Sequence, residues 1–329
     1  MNVHSPDIAP EMDQDGRRRA RRLVESALDS SGALAELGQW LTETADRGET
    51  AADIAGVADA LRSRMIGLPG REGSFFHQGP PLADTCGTGG DGTGTFNIST
   101  VAGLVAAASG LRVAKHGNRA VSSRTGSADA LEALGVGVNV SPEHAAECLK
   151  RTGFCFCLAP RYHPAMAAVA SLRRSLGRPT VFNLVGPLCN PAAVDVQVIG
   201  VGRASVRTAM AQAARSLGIG RVLIVSGSFP GRDGAATLDE VSLFGQSDVI
   251  DVDGERCQEM QWNPEDFGLV RLEAAQAEYL VVNNAAESAA MIRRVLAGEH
   301  GPPRDVVVVN AAAVLWTARI SESLRHCRE

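Results

Sequence analysis

No apolar run in this chain reaches the roughly 18–20 residues that a membrane span requires. The start, Met1 to Gly16, is polar and lacks the apolar centre of a secretory leader. Positive charge is not in excess: 32 Lys and Arg stand against 37 Asp and Glu, a net charge of -5. Such a chain has no overall attraction for nucleic acid or an anionic membrane, so any anion site in it is local. An even set of cysteines is missing too. The seven present (Cys86, Cys148, Cys155, Cys157, Cys189, Cys257 and Cys327) are scattered through a long, apolar-rich chain and read as reduced thiols, not a disulfide framework. Cys155 and Cys157 alternate with aromatic residues in Phe-Cys-Phe-Cys-Leu, which reads as a buried strand rather than a metal knuckle. These absences predict a soluble, cytoplasmic protein with no nucleic-acid and no membrane partner.

What is present is enough chain, 329 residues with 45% hydrophobic, for one large core and a smaller appended unit. Residues 1–16 read as a flexible tail. The run from Arg17 to Arg22 could serve nucleic acid, but no further basic residues follow as the pattern continues into Leu23 and Leu28, so it reads as a solvated helix face. Three helical patterns fill residues 17 to about 66. In the third, Thr50 is placed as N-cap and Ile54, Val57, Ala58 and Leu61 form one apolar stripe. No strand candidate occurs in the first 70 residues or so. Beyond residue 82, strand patterns at Leu111–Ala114, Val136–Val140, Phe154–Leu158, Val196–Val201, Val222–Val225 and Val306–Val309 alternate with helical ones at about 99–109, 125–134, 141–152, 204–217 and 285–297. That alternation predicts an α/β fold with a mostly parallel sheet flanked by helices. The expected organisation is a small all-helical N-terminal domain at 17–80, rejoined by a helix at 163–177, and a larger α/β domain at 81–329.

Residues 87–100 carry the densest chemical signal. Gly87, Gly89, Gly90, Gly92 and Gly94 are five glycines in eight positions, leaving the backbone free to turn its amides inward as an anion nest. Ser99 and Thr100 then open an apolar helix, whose N-terminus also favours phosphate. No Gly-Lys-Ser/Thr follows, which speaks against a P-loop, and no ribose-binding acid stands at the dinucleotide spacing. Asp91 inside the nest would repel a phosphate unless Mg²⁺ bridged the two. Downstream, Lys115 to Arg119 follow a strand and so lie at its carboxyl end, where open α/β sheets collect ligands. Lys115 offers a compact positive charge there. Ser122, Ser123, Thr125 and Ser127 offer hydroxyls and amides for further phosphate oxygens.

The string GTGGDGTGTFNIST (Gly87–Thr100) resembles the diagnostic loop of anthranilate phosphoribosyltransferases. KHGNRAVSSRTGSADALEALGV (Lys115–Val136) resembles their second signature, and RYHPAM (Arg161–Met166) with TVFNLVGPLCNPA (Thr180–Ala192) their third. The likeness runs from about residue 48 to about 315. It implies a Mg²⁺-dependent pentosyltransferase that joins the amine of anthranilate, or of a related aromatic carboxylic acid, to C1 of phosphoribosyl pyrophosphate (PRPP) with inversion and loss of pyrophosphate. It further implies a homodimer through the helical unit. On this resemblance PRPP is held by Gly87, Thr88, Gly89, Gly90, Asp91, Gly92, Thr95, Asn97, Ser99, Thr100, Lys115, Ser122, Ser123 and Ser127, with Lys115 and Asp91 catalytic. The metal falls to Asp91, Ser99, Asp239 and Glu240, and the acceptor to His116, Asn118, His163, Arg173, Gly186 and Pro187. Arg173 suits that task because its planar fork matches a carboxylate.

The chain also departs from the family pattern. Ser226 stands where a histidine is usual, extra residues separate Asp233-Gly234 from Asp239-Glu240, and Arg178 comes one place early. Members usually continue for another helix or two beyond the equivalent of Glu329, so a packing layer is expected to be replaced. These departures keep open a paralogue acting on another aromatic acceptor in secondary metabolism. A pyrimidine nucleoside phosphorylase-like enzyme would need a Lys-His-Ser-Thr-Gly-Gly type loop, which is absent. A catalytically silent nucleic-acid-binding paralogue would rest on the N-terminal arginines alone.

Overall fold

Asp13 opens the first long helix: its side chain accepts from the amides of Asp15 and Gly16, two of the donors a helix start leaves without partners. The computed structural model describes residues 2–4 (backbone only), 12–70, 79–120, 123–231 and 234–329. Helix α1 (Gln14–Asp29) is followed by α2 (Leu34–Arg47) and α3 (Ala51–Arg62). Thr50 caps α3 as expected, and reciprocally: Asp53 N donates to its hydroxyl, while the Asp53 carboxylate accepts from Thr50 N at 2.9 Å. Three of the five arginines of α1 pair within the helical unit. Arg17 pairs with Asp59 at 2.7 Å, Arg21 with Glu25 at 2.8 Å and Arg18 with Asp15. The segment at 163–177 forms a 3₁₀ turn, Pro164–Val169, and a short helix, Ala170–Leu176. It packs on the helical unit, with Leu172 against Gly38 of α2 and Val169 buried in the same core.

The strands are β1 (Asn2–His4), β2 (Leu82–Gly87), β3 (Arg112–Gly117), β4 (Phe154–Leu158), β5 (Val196–Gly200), β6 (Arg221–Gly231), β7 (Gly234–Leu238), β8 (Ser247–Asp253) and β9 (Arg256–Trp262). They form one nine-stranded sheet in the order β1-β9-β8-β6-β5-β2-β3-β4, with β7 pairing the outer part of β6. From β6 to β4 every pairing is parallel. β8, β9 and β1 extend the sheet antiparallel. The chain runs β2, β3, β4 to one side and then crosses back to lay β5 on the other side of β2. That reversal creates a crevice beyond the carboxyl ends of β2 and β5, where a ligand site belongs.

Helices α4 (Ile98–Ala108), α5 (Ser127–Ala133), α6 (Pro142–Thr152), α7 (Ala159–Tyr162), α8 (Ala170–Leu176), α9 (Arg207–Ser216), α10 (Ala285–Leu296), α11 (Pro302–Thr317) and α12 (Leu324–Arg328) complete the fold. One core joins α4 and α11 to one sheet face through Val101, Val113, Leu223, Val306 and Val309. The other is continuous from Val24, Leu37, Trp40 and Ile54 of the helical unit to Ile199, Ile224 and Ile250 of the sheet. The helical unit therefore shares this second core with the sheet, while the first is built without it.

Three expectations need correction, and two strands were not anticipated. Val306–Val309 is helical, inside α11, where burial of Val306, Val307 and Val309 overrides the β preference of a valine run. Val136–Val140 is irregular, the link between α5 and α6. The stretch 1–16 is not a uniform flexible tail: Asn2–His4 pairs with β9, and α1 begins at Gln14. The antiparallel strands β8 and β9 carry polar residues on both faces and gave no alternating signal. Among the described residues, no helix is long and apolar enough to cross a membrane.

Candidate active site

β2 ends at Gly87, and the chain turns there into the glycine loop. Gly89, Gly90, Gly92 and Gly94 all have φ between 68° and 76°, the left-handed region that only glycine enters without strain. The loop is fastened at both ends. Thr88 N donates to Gly200 O at 2.8 Å, while Phe96 N donates to Leu280 O and Val282 N to Gly94 O. Gly87 and Gly200, side by side on β2 and β5, form the seat of Asp239. A Cβ on Gly87 would lie 2.1 Å from Asp239 Oδ2, and one on Gly200 would lie 1.5 Å from Asp239 O. Asp239 Oδ2 accepts from Gly89 N at 2.9 Å. Asp91 folds back on its own loop, accepting from Thr93 N and the Thr93 hydroxyl, and its Oδ2 lies 3.5 Å from Asp239 N. Glu240 Oε1 accepts from Ser99 N at 2.9 Å, so the first turn of α4 faces a carboxylate here.

These residues line a cavity of ≈ 280 Å³ with Gly87, Thr88, Gly90, Thr95, Asn97, Thr100, Lys115, Ser123 and Ser127. Of the expected donor-side set, Ser122 lies outside the described residues, and Gly92 is in the loop but not on the cavity wall. The Lys115 ammonium is buried beneath the loop, donating to Thr85 O and, at 3.3 Å, to the Ser99 hydroxyl. Asn97 is committed to architecture: its Oδ1 accepts from the hydroxyls of Thr125 and Ser288.

Among the described residues Asp91, Asp239 and Glu240 make no ion pair with an arginine, and their mutual repulsion leaves this corner short of positive charge. Burial pushes the Asp239 carboxyl well above the usual range, and the charges of Asp91 and Glu240 push it further. Burial likewise raises Glu240 to about 7, against the opposing pull of Lys115 and the Ser99 amide. Among the described residues no three acidic, histidine or cysteine side chains converge as a ready-made metal cage. A divalent ion that keeps its waters and shares phosphate oxygens needs no such cage, and repelling carboxylates beside an amide nest fit Mg²⁺ of that kind.

A second cavity, ≈ 470 Å³, lies against the first and shares Cys86, Gly87, Thr88, His116, Gly117 and Asn118 with it. It is walled by His163, Pro164, Met166, Arg173, Phe182, Gly186 and Pro187, so the six residues expected on the acceptor side are gathered in one chamber. The imidazoles of His116 and His163 are 5.2 Å apart. His116 Nδ1 lies 3.1 Å from Gly186 O and His163 Nε2 lies 3.0 Å from Cys189 O, contacts in which each nitrogen must donate. The remaining nitrogens, His116 Nε2 and His163 Nδ1, are buried acceptors without a partner among the described residues. Burial, together with the charge of His163, lowers the His116 pKa to about 3, and burial lowers that of His163. Both are neutral at physiological pH. Arg173, in α8, makes no ion pair among the described residues. Its guanidinium sits 5.4 Å above the Phe182 ring, and burial lowers its pKa. A cation held over a ring, with no acid beside it among the described residues, can receive a carboxylate.

Sequence reading missed Gly200, Gly202, Ser288, Phe182 and Arg124. Gly202 packs directly on Asp91. Arg124 stands over Gly94 and donates to Val282 O at 3.0 Å on the rim of the first cavity. Apart from Phe182 and Arg124, which lie inside quoted motifs, each serves a partner distant in sequence, and no local pattern marks it. Phe182, inside a quoted motif, could have been found from its aromatic face near the only arginine expected on the acceptor side.

The glycosyl transferase family, a/b domain, matches residues 79–329. The chain is 43% identical to an anthranilate phosphoribosyltransferase of Brevibacillus brevis, covering 92% of this chain and 85% of that protein. It is 42% identical to one of Herpetosiphon aurantiacus with the same coverage. In structure it is similar to the anthranilate phosphoribosyltransferase of Thermus thermophilus, with TM-score 0.81, 38% identity and coverage of 97% of this chain and 89% of that one. It is also similar to the Saccharomyces cerevisiae protein in complex with PRPP and Mg, with TM-score 0.79, 27% identity and coverage of 96% and 86%.

Proposed function

We propose the reaction from one premise: the chain belongs to the anthranilate phosphoribosyltransferase family. It is a Mg²⁺-dependent pentosyltransferase that joins the amine of anthranilate to C1 of PRPP and releases pyrophosphate. The observation that carries the residue assignments is the meeting of two chambers at the ends of β2 and β3. One is built of amides and acids, the other of imidazoles, apolar walls and a guanidinium without an acid.

On this reading Gly87 to Gly90, Thr95, Ser99, Lys115, Ser123 and Ser127 hold the diphosphate and its sugar, with Asn97 and Thr100 shaping the wall behind them. Asp91, Ser99, Asp239 and Glu240 would hold Mg²⁺, which when bound neutralises the departing pyrophosphate. Arg173 takes the acceptor carboxylate; His116, Asn118, His163, Gly186 and Pro187 frame the ring and amine. The C1–O bond breaks with its electron pair leaving on pyrophosphate, the amine lone pair forms C1–N on the opposite face, and one amine proton passes to water. An imidazole with a pKa of about 3 is too weak a base to take that proton, so His116 Nε2 orients the amine N–H. The acceleration then comes from alignment and from stabilising the charge on the leaving group.

Pyrophosphate release from PRPP and Mg²⁺, measured against a panel of aromatic acids, tests this. Release with anthranilate is expected; release only with a different aromatic acid would move the chain to another acceptor. Phosphorolysis of thymidine or uridine is expected to be absent. The full reading also includes a homodimer through the helical unit, which light scattering would check, and a cytoplasmic location.

A further inference from the structure

Asp84 lies on β2 beneath both chambers and lines neither. Its carboxylate is fully buried at 0% exposure. Oδ2 accepts from Asn190 Nδ2 at 2.8 Å and from Gln197 Nε2 at 3.1 Å, while Oδ1 lies 3.4 Å from His116 N. Each donor leads on to a chamber wall. Asn190 Nδ2 also donates to Ala114 O at 2.8 Å, the peptide just before Lys115 and His116. Gln197 Nε2 also donates to Pro187 O at 2.7 Å, on the acceptor side. Asn190 Oδ1 accepts from Ala192 N at 2.8 Å, which fixes its amide orientation. Asn190 and Gln197, like Asp84, are buried and line neither cavity.

We infer that Asp84 is a positioning residue that sets the alignment of the two substrates. Its carboxylate ties the β3 end, which carries Lys115 and His116, to the Gly186–Pro187 turn through Asn190 and Gln197. The inference rests on the function proposed above. A buried carboxylate is costly to desolvate, and hydrophobic replacement of such groups is often neutral or stabilising. Its use here is therefore register. Burial raises the Asp84 carboxyl pKa. The Lys115 charge and the hydrogen bonds from Asn190, the His116 amide and Cys86 act against that rise, as they would for an anion built into the site floor.

The test is a kinetic and binding comparison on the full chain. Asp84→Asn keeps shape but puts a donor where three donors meet. Since a misplacement of about 1 Å can cost about 100-fold in rate, kcat is expected to fall by about that factor. Affinity for PRPP alone and for the acceptor alone should change little. Gln197→Met removes the link from Asp84 to Pro187 O, together with the contact to Cys86 Sγ, and leaves the Asn190 branch in place, so KM for the acceptor should rise about tenfold with KM for PRPP unchanged. Thr317→Val, which removes a buried hydrogen bond to Ala313 O in α11 far from either chamber, should lower the thermal midpoint without touching kcat. An unchanged kcat in Asp84→Asn, or losses that merely track the thermal midpoints of all three variants, would overturn the inference. If Asp84→Asn does not fold, Gln197→Met decides: equal effects on both substrates, or none, reject it. A wild-type chain releasing no pyrophosphate with any aromatic acid would instead sink the proposed function, and this inference with it.

Discussion

On the function proposed above, the two chambers recognise their ligands by opposite means. On the donor side the ligand-facing groups are backbone amides, and specificity comes from where the chain can bend: four left-handed glycines, two more that make room for Asp239, and acids that need a cation to coexist. On the acceptor side the backbone serves as scaffold. Gly186 O and Cys189 O hold two neutral imidazoles in fixed tautomers, and Phe182 holds a guanidinium. A diphosphate is met by a shape the chain cannot avoid, an aromatic acid by side chains that could have been otherwise. The donor chamber should therefore fail abruptly when crowded, and the acceptor chamber should fail by degrees.

The largest effect is expected from Gly200→Ala. The added methyl would lie 1.5 Å from Asp239 O, which forces the whole Asp239–Glu240 turn off its seat. Activity should fall by at least about 100-fold, because the displacement exceeds the ~1 Å that already costs that much. Binding of an anthranilate analogue, followed by calorimetry, should survive. Loss of both together would mean that the chambers are not separable.

Arg173→Ala comes next. Removing the cation that meets the carboxylate forfeits a charge-assisted hydrogen bond worth roughly 1.5–3 kcal/mol, so kcat/KM for the acceptor should drop about 10- to 100-fold. The PRPP constant should stay put. An equal loss for both substrates would remove Arg173 from its assigned place.

That asymmetry also explains what the sequence could tell. The glycine loop was legible because residues 87–100 are contiguous and their chemistry is local. The cap at Thr50, and the helices after 98, 142 and 285, were legible for the same reason. The acceptor chamber draws on β3, α8 and three 3₁₀ turns (Pro164–Val169, Val181–Asn183 and Pro187–Cys189), and its expected members were found only through the family resemblance. Val306–Val309 misled because four consecutive valines carry a strand's composition, whereas α11 packs that turn against α4, β5 and the C-terminal segment. Gly200 and Gly202 gave no signal at all. Their reason for being glycine is Asp239 and Asp91, distant in sequence.

Acidity should separate the chambers as well. Glu240, raised to about 7, is largely protonated in slightly acidic solution, and a proton there competes with metal. The Mg²⁺ requirement should therefore grow as pH falls below about 7, approaching tenfold per unit. In metal-free protein the sign reverses. A carboxyl whose folded pKa is raised contributes stability below its unfolded value of 4.5, and loses it as pH rises toward 7. Thermal midpoints should accordingly fall across that window without Mg²⁺ and recover with Mg²⁺ and PRPP. A Mg²⁺ requirement flat from about pH 6 to about pH 8 would place Glu240 away from the metal.

The smallest expected effect is the sharpest test of the acceptor side. Phe182 meets the Arg173 guanidinium through its ring face, at 5.4 Å, in a wall where the described residues provide no acid. Phe182→Leu keeps the apolar volume roughly constant but removes the ring quadrupole. A cation–π contact at a partly exposed site contributes about 0.5–1 kcal/mol. KM for the acceptor should therefore rise only about two- to fivefold, with kcat and the PRPP constant unchanged. Phe182→Tyr, which retains the ring, should restore it. Phe182 is itself buried, so a loss of packing would lower the thermal midpoint in the Leu variant. That loss alone leaves the acceptor constant where it was. If the midpoint falls and KM does not move, Phe182 is core and Arg173 is placed by its helix; if KM moves and tyrosine restores it, the ring aims the guanidinium.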